Sequence, residues 1–422
     1  MNKDTNLQAG QPIIAQLLNY IPKDLVQQAV TGFKSDHYYK KVKTWDQLVF
    51  MVYAVLTGSS TLREVTLNLG LLSTKLSYLN LTQIPCRSSI SDANTKRTSL
   101  VFGSIYIALY MKYKNFLSDS YLFLPINGEV LPSQVEVFDA TTITLFKDVF
   151  KACGRMPHDG RRKGGIKAFT RITLSERVPN LIYLKSASTN DRDFLKMMDL
   201  PANTIAVFDK GFHNYKLYEQ WNKTLRFYVT RLNDNAVYDV VRVRPLGDEV
   251  HSGVRKDCDI VLHYKDKKSG EIVSVAARCV TYIDPIKGEE LVFLTNAFTL
   301  KSFTICLLYK NRWTIEPLYK QIKQNFEVNN FLSDSAEGIK TQIWIAMILN
   351  LIFTVISKQI KEAQDFSTMV KVAAKNTGSY VCFIKFLEDP LQAKKLAIHA
   401  KLKTSQLNLF ENIEGGAFFN SE

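Results

Sequence analysis

Two apolar runs in this chain end in the same way, at a carboxylate. Glu136-Val137-Phe138-Asp139-Ala140 and Ala206-Val207-Phe208-Asp209-Lys210 each place an aspartate directly after residues suited to a buried strand. In a mostly parallel sheet, ligand sites form at the carboxyl ends of the strands, so two neighbouring strands would hold Asp139 and Asp209 side by side. Close carboxylates repel and shift each other's pKa, and a divalent cation removes that penalty. Taken singly, such an aspartate is more often a cap or turn residue than a ligand.

A third acid adds to the pair. Tyr309, Arg312, Glu316 and Lys323 follow the spacing Y-x2-R-x3-E-x6-K. At about 100° per residue, Arg312, Glu316 and Lys323 fall at roughly −60°, −20° and −40° from Tyr309, one narrow stripe if the helix is continuous. Pro317 lacks a backbone donor and either kinks that helix or marks its first turn, which would put Tyr309 and Arg312 on a separate segment. The plain alternative is a salt-bridged helix in which Arg312 and Glu316 form an i,i+4 pair. With the two aspartates, the set makes a chemical unit. Three carboxylates can hold two Mg2+ (or Mn2+) ions, one activating a water or a DNA 3′-hydroxyl and the other stabilising the leaving oxygen. Arg312, Lys323 and the Tyr309 hydroxyl can then grip phosphates beside the scissile bond.

The remaining elements must position these groups. The 422 residues suffice for two or three domains, and 46% hydrophobic with 22% charged residues is ordinary for a folded soluble protein. The net charge of +14 and pI near 9.3 point to a polyanionic partner. Six scattered cysteines without a C-x-x-C pair argue against a zinc knuckle or disulfide scaffold and for a reducing cytosol. The polar start, Met1 to Gly10, is unlike a signal peptide. The most apolar stretch, Ile343 to Ile356, is interrupted by Asn350 and falls short of the roughly 20 residues of a spanning helix, so a buried helix and no membrane contact are expected.

The opening third has helical spacing. Ile13, Leu17, Leu18 and Ile21 share one face. A helix starting at Thr44 ends at Gly58, and Thr61 with Glu64 begins the next in a capping-box pattern. This is the outline of a helix-turn-helix, although a bundle that only packs against the core fits as well. A further helix after Pro85 would bring Arg87, Ser88, Asn94, Lys96 and Arg97 near phosphates. From about Val135, strands and helices alternate. The loop after Asp139 carries His158, Asp159, Arg161, Arg162 and Lys163, with Arg161, Arg162 and Lys163 suited to DNA phosphates. Val237 to Phe298 has strand composition, and helix returns at Leu300.

Val137-Phe138-Asp139, the segment Asp209-Lys210-Gly211-Phe212 and the Tyr309/Arg312/Glu316/Lys323 signature together resemble a DDE transposase of the insertion-sequence-four family. The resemblance covers roughly Gln134 to Asn350 and extends more weakly over Tyr20–Val65. It implies an α/β fold: an RNase H-like core, a mixed five-stranded sheet flanked by helices, with a β-rich insertion and a helical N-terminal DNA-binding region. The expected domains are residues 1–130 for DNA binding, 131–232 with 299–365 for the catalytic core, 233–298 for the insertion, and 366–422 for a helical C-terminal region with a disordered tail. By motif match, Asp139, Asp209 and Glu316 would be metal ligands, and Tyr309, Arg312 and Lys323 would contact the DNA end. The resemblance further implies cutting at an element's ends, strand transfer into target DNA, a homodimer in the DNA complex and a bacterial cytoplasmic, nucleoid-associated location. Relatives can hold a flipped base on an aromatic residue of the insertion, often a Trp. No Trp lies between Trp221 and Trp313 here, leaving Tyr238, Tyr264 or Tyr282 for that role. A catalytically silent DNA-binding relative, or an RNase H-like nuclease without strand transfer, are the competing readings.

Overall fold

The computed structural model describes residues 10–118, 129, 134–144, 154–155, 163–176, 178–266, 269–326, 330–360 and 364–391. Arg161 and Arg162 lie outside the described residues, as do His158, Asp159 and the C-terminal tail. Two compact units divide the chain, one formed by residues 1–113 with 321–422 and the other by residues 114–320.

Among the described residues the first unit begins with six α-helices: α1 (Ile13–Leu18), α2 (Lys23–Phe33), α3 (Thr44–Thr57), α4 (Leu62–Gly70), α5 (Arg87–Lys96) and α6 (Leu100–Leu117). Their ends follow local chemistry. The Asp46 carboxylate accepts the Lys43 N–H at 2.8 Å at the start of α3, and Gly58 ends that helix at φ +65°, a conformation open to residues without a Cβ. Thr61 accepts the Glu64 N–H, while the Glu64 carboxylate accepts from Ser60. α3 and α4 are bent by 99° at the short turn between them, within the range of a helix-turn-helix. Nearly every residue of α3 is buried, which explains its apolar composition.

The second unit is built on one sheet. Its elements are β1 (Gln134–Thr144), β2 (Gly154–Arg155), β3 (Lys163–Thr173), β4 (Pro179–Ser186), α7 (Asp191–Lys196), β5 (Thr204–Phe208), α8 (Tyr215–Lys223), β6 (Phe227–Arg231), β7 (Val237–Val243), β8 (Val254–Lys265), β9 (Ile272–Ile283), β10 (Glu290–Thr295) and α9 (Ser302–Lys310), then the start of α10 (Ile315–Asn325). β3 runs antiparallel to both β1 and β4, and β1, β5 and β6 run parallel. The order β4-β3-β1-β5-β6 is that of an RNase H-like core. β10 adds antiparallel to β6, and β9, β8 and β7 follow. The β-rich segment therefore continues the core sheet, because β6 would otherwise present a row of unpaired backbone groups. One face is covered by an aromatic core of Phe138, Phe169, Phe194, Phe208, Phe212 and Tyr218, with Phe169 stacked on Phe194 at 4.7 Å. Successive residues on a strand point to opposite faces. Phe138 in this core therefore turns Asp139 toward the other side.

The chain then returns to the first unit with α11 (Ala336–Gln359), α12 (Phe366–Lys375) and α13 (Phe383–Glu388). α11 is long and apolar enough to cross a membrane by length and composition, but its apolar window is 89% buried inside the protein. It packs against α3, α5 and α12. Gly103 of α6 lies so close to α11 that an added Cβ would sit 2.8 Å from the Trp344 ring. Gly103→Ala is expected to destabilise this unit by about 1–3 kcal/mol through overpacking. A melting curve unchanged from wild type would contradict that contact.

Candidate active site

The acids are positioned by strand register. Phe138 of β1 pairs with Phe208 of β5 as the last partner pair of these two parallel strands. The residue after each is an aspartate, Asp139 within β1 and Asp209 directly past the end of β5, so the two acids follow the same pair. On its other side Asp139 faces Thr170 of β3, whose hydroxyl hydrogen-bonds the buried Tyr319 hydroxyl of α10.

Arg312 and Tyr309 connect the acids to the helical side. The Arg312 guanidinium lies 3.6 Å from the Asp139 carboxylate and 3.7 Å from that of Glu316. The Tyr309 hydroxyl donates to Asp209 at 3.1 Å. Tyr309 is fully buried, 4.9 Å from the Phe293 ring between centroids, and burial pushes its phenol well above the usual range. Arg312 is also buried, and its Nε has no hydrogen-bond partner among the described residues. The Glu316 carboxylate is 59% exposed, open to an incoming ligand.

The four signature residues do not share one straight helix. Tyr309 belongs to α9, Arg312 to a 3-10 turn over Asn311–Thr314, and Glu316 and Lys323 to α10. Pro317 sits in the first turn of α10, where its missing N–H costs nothing. The tightened turn breaks the 100° progression, and Arg312 reaches Asp139 from outside the expected stripe. Lys323 follows Glu316 by two turns, within the part of α10 that belongs to the first unit, and burial lowers its ammonium pKa. Lys163 opens β3.

Electrostatics mark Asp139 as the strained acid. Its pKa is raised from 3.8 to about 6, chiefly by burial and further by the charges of Asp209 and Glu316. The Ala140 N–H, at 2.8 Å, and Arg312 pull in the other direction. Among the described residues, no three His, Cys, Asp or Glu side chains come close enough to share one ion, and the Arg312 guanidinium bridges two of the three acids. A desolvated carboxylate, repelled by two others and met by a borrowed cation, nonetheless fits a divalent ion, and the all-oxygen donor set suits Mg2+ or Mn2+.

β3 is paired on both sides, and the Lys167 ammonium forms a close ion pair with Asp191. That Asp191 carboxylate lies 3.4 Å from where a Gly211 Cβ would stand, so the glycine of Asp209-Lys210-Gly211-Phe212 leaves room for a second acid, while Phe212 anchors the segment in the core. His213 is buried against Tyr215, and burial with the Arg192 charge lowers its pKa to about 4, leaving it neutral at pH 7. Tyr282 is buried, and its hydroxyl accepts from Lys310 at 2.7 Å. Tyr264 hydrogen-bonds Glu219 at 3.5 Å, whereas Tyr238 is exposed on β7. Removing the Tyr309 hydroxyl deletes one hydrogen bond to Asp209 and leaves the ring packing intact. Tyr309→Phe should therefore fold normally and lower turnover about tenfold, the scale of one hydrogen bond to a charged group. Unchanged turnover in a steady-state assay would remove that hydroxyl from the site.

The strand order β4-β3-β1-β5-β6 defines an RNase H-like fold. The Transposase DDE domain family matches residues 132–351, more than half of the chain, and this protein belongs to that family: it is a transposase. A Sinorhizobium fredii protein named as a transposase, y4zB, is 25% identical over 63% of this chain and 69% of its own length. A Synechocystis protein named as a transposase for insertion sequence element IS4SA is 24% identical over 63% of this chain and 70% of its own. Residues 9–79 match a domain of unknown function (DUF4372). Among solved structures, a piggyBac transposase chain in a synaptic complex with hairpin DNA aligns over 94% of this chain and 86% of its own, with a TM-score of 0.46 and 10% identity.

Proposed function

We propose that this transposase cuts double-stranded DNA at the ends of its insertion sequence and joins those ends to target DNA, with Asp139, Asp209 and Glu316 as the catalytic acids. The observation that supports this reading is the paired Phe138 and Phe208, each followed directly by an aspartate, Asp139 and Asp209, with Glu316 joined to Asp139 through Arg312. The three acids would hold two Mg2+ (or Mn2+) ions, which when bound supply a deprotonated nucleophile and stabilise the leaving oxygen. Arg312, released from the acids it bridges, is placed to meet a non-bridging phosphate oxygen. The Tyr309 hydroxyl holds the Asp209 carboxylate in a fixed orientation. Lys323, Arg161, Arg162 and Lys163 serve as backbone contacts that set register without reading sequence.

The bent α3–α4 pair, within the segment matched by the domain of unknown function, supports a DNA-binding role for the N-terminal helices. A homodimer in the DNA complex follows from the need to hold two ends at once. Of the three tyrosines that could stack on an extruded base, Tyr238 has the most accessible setting. The test is cleavage of terminal-repeat DNA by the full chain in Mg2+ or Mn2+. Asp139→Ala, Asp209→Ala and Glu316→Ala should each abolish cutting, and wild-type rates in all three would end the proposal. A joining assay with pre-cut ends separates a transposase from a nuclease, because strand transfer needs no new cut.

A further inference from the structure

A fourth carboxylate approaches Asp209 from α7. Asp191 is the first residue of that helix, which packs against the turn formed by Lys210–Phe212. A Cβ added to Gly211 would stand 3.4 Å from the Asp191 carboxylate and 3.9 Å from that of Asp209. The two oxygens cannot be farther apart than the sum of those distances, about 7.3 Å. In a two-ion site the ions stand about 3.5–4 Å apart and each holds its oxygens at about 2.1 Å, so donors on opposite ions reach about 8 Å from one another. Asp191 falls inside that span from Asp209.

The ordinary work of an acid at a helix start is done by its neighbour. Asn190 caps α7, its side chain accepting the Arg192 N–H at 3.1 Å. The Asp191 carboxylate is held instead by Lys167 of β3, whose ammonium passes the Phe169 ring 5.3 Å from its centroid. The lysine side chain is only 14% exposed and the aspartate 27%. A sheltered carboxylate beside another one needs a cation. Arg312 meets that need for Asp139 and Glu316, and Lys167 meets it for Asp191.

On the reading that Asp139, Asp209 and Glu316 hold the ions, we infer that Asp191 is a fourth acid of that site, kept on Lys167 until a divalent ion takes the lysine's place. Mg2+ favours six oxygen donors in an octahedron, and a fourth carboxylate adds a charged donor on the Asp209 side. Gly211 suits this arrangement, because it places no side chain between the two acids.

The experiment titrates the full chain with Mn2+ in the absence of DNA and follows the EPR signal of the free ion. Asp191→Asn should raise the dissociation constant by about tenfold or more, the scale of losing a supporting group at a metal site. Lys167→Gln breaks the same ion pair but keeps the carboxylate, so it should bind Mn2+ at least as tightly as wild type. The double variant Asp191→Asn/Lys167→Gln leaves no unpaired lysine and should show the same loss as Asp191→Asn, which separates lost binding from lost folding. A purely structural ion pair would make Asp191→Asn and Lys167→Gln behave alike. Equal changes in those two variants, or wild-type affinity in the double variant, would overturn the fourth acid. Weakened binding in Asp209→Asn with none in Asp191→Asn would do the same and leave the three-acid reading standing. A wild-type chain without measurable Mn2+ binding would also overturn it, and the cleavage assay would then decide the three-acid reading by itself.

Discussion

Asp139→Asn is expected to abolish DNA cleavage and, in the absence of metal, to make the protein harder to unfold. The two effects share one cause. Asp139 is half-buried beside β5, and its carboxyl pKa is raised from 3.8 to about 6, by desolvation first and then by Asp209 and Glu316. Between these values the folded state holds a proton that the unfolded state has released. The stability tied to this group is therefore complete below about pH 4 and is lost as pH rises through 6. At pH 7 the ionised carboxylate costs up to about 3 kcal/mol, at 1.36 kcal/mol per pKa unit. Asparagine carries no charge, can still accept the Ala140 N–H, and removes that cost. The same change deletes a charged donor from the proposed ion site, and cleavage should fall on the order of 10³-fold or more. Urea melts in a chelator at pH 7 and pH 4 provide the check. Asp139→Asn should exceed wild type at pH 7 and match it at pH 4. A variant weaker than wild type at both pH values would mean that the lost Arg312 pairing outweighs burial.

Arg278→Met should be the most damaging single change outside the acids. Arg278 is only 2% exposed, and its guanidinium grips both Asp257 oxygens and the carbonyls of Ala297 and Leu300. It thereby ties β8 and β9 to the connection between β10 and α9, the helix that positions Tyr309. Removing one partner of a buried pair leaves an uncompensated charge and costs about 3–5 kcal/mol. The double change Arg278→Met/Asp257→Leu removes both charges and should recover most of that loss, since a hydrophobic replacement of an ion pair is often neutral. It would still leave two carbonyls without their donor, so turnover should remain below wild type even where stability returns. Denaturant melts on both single variants and the double variant give the coupling energy directly. An Arg278→Met protein with wild-type stability would show that Asp257 is solvated or protonated instead of paired.

Several parts of this architecture were readable from local pattern because local rules produce them. An apolar run ending in aspartate is a buried strand reaching its carboxyl end, and Val137-Phe138-Asp139 and Val207-Phe208-Asp209 follow that rule. Thr44 to Gly58 carries its own start and stop, and α3 has those limits. The single stripe from Tyr309 to Lys323 failed for a local reason as well, since Pro317 in a first turn and a 3-10 segment interrupt the rotation.

By itself, then, the order of residues determined which acids stand at strand ends, where the helices begin, and which family the chain resembles, because capping, periodicity and burial of apolar runs act over a few neighbouring positions. Only the tertiary structure decided that Arg312 bridges Asp139 and Glu316, that Arg278 reaches Asp257 and the entry to α9, and that the β-rich segment prolongs the core sheet. Apart from the local Arg312–Glu316 contact, those pairings join residues from about 20 to 170 positions apart, and side chains so distant in sequence meet only when the backbone groups and apolar faces of the whole unit have found their partners.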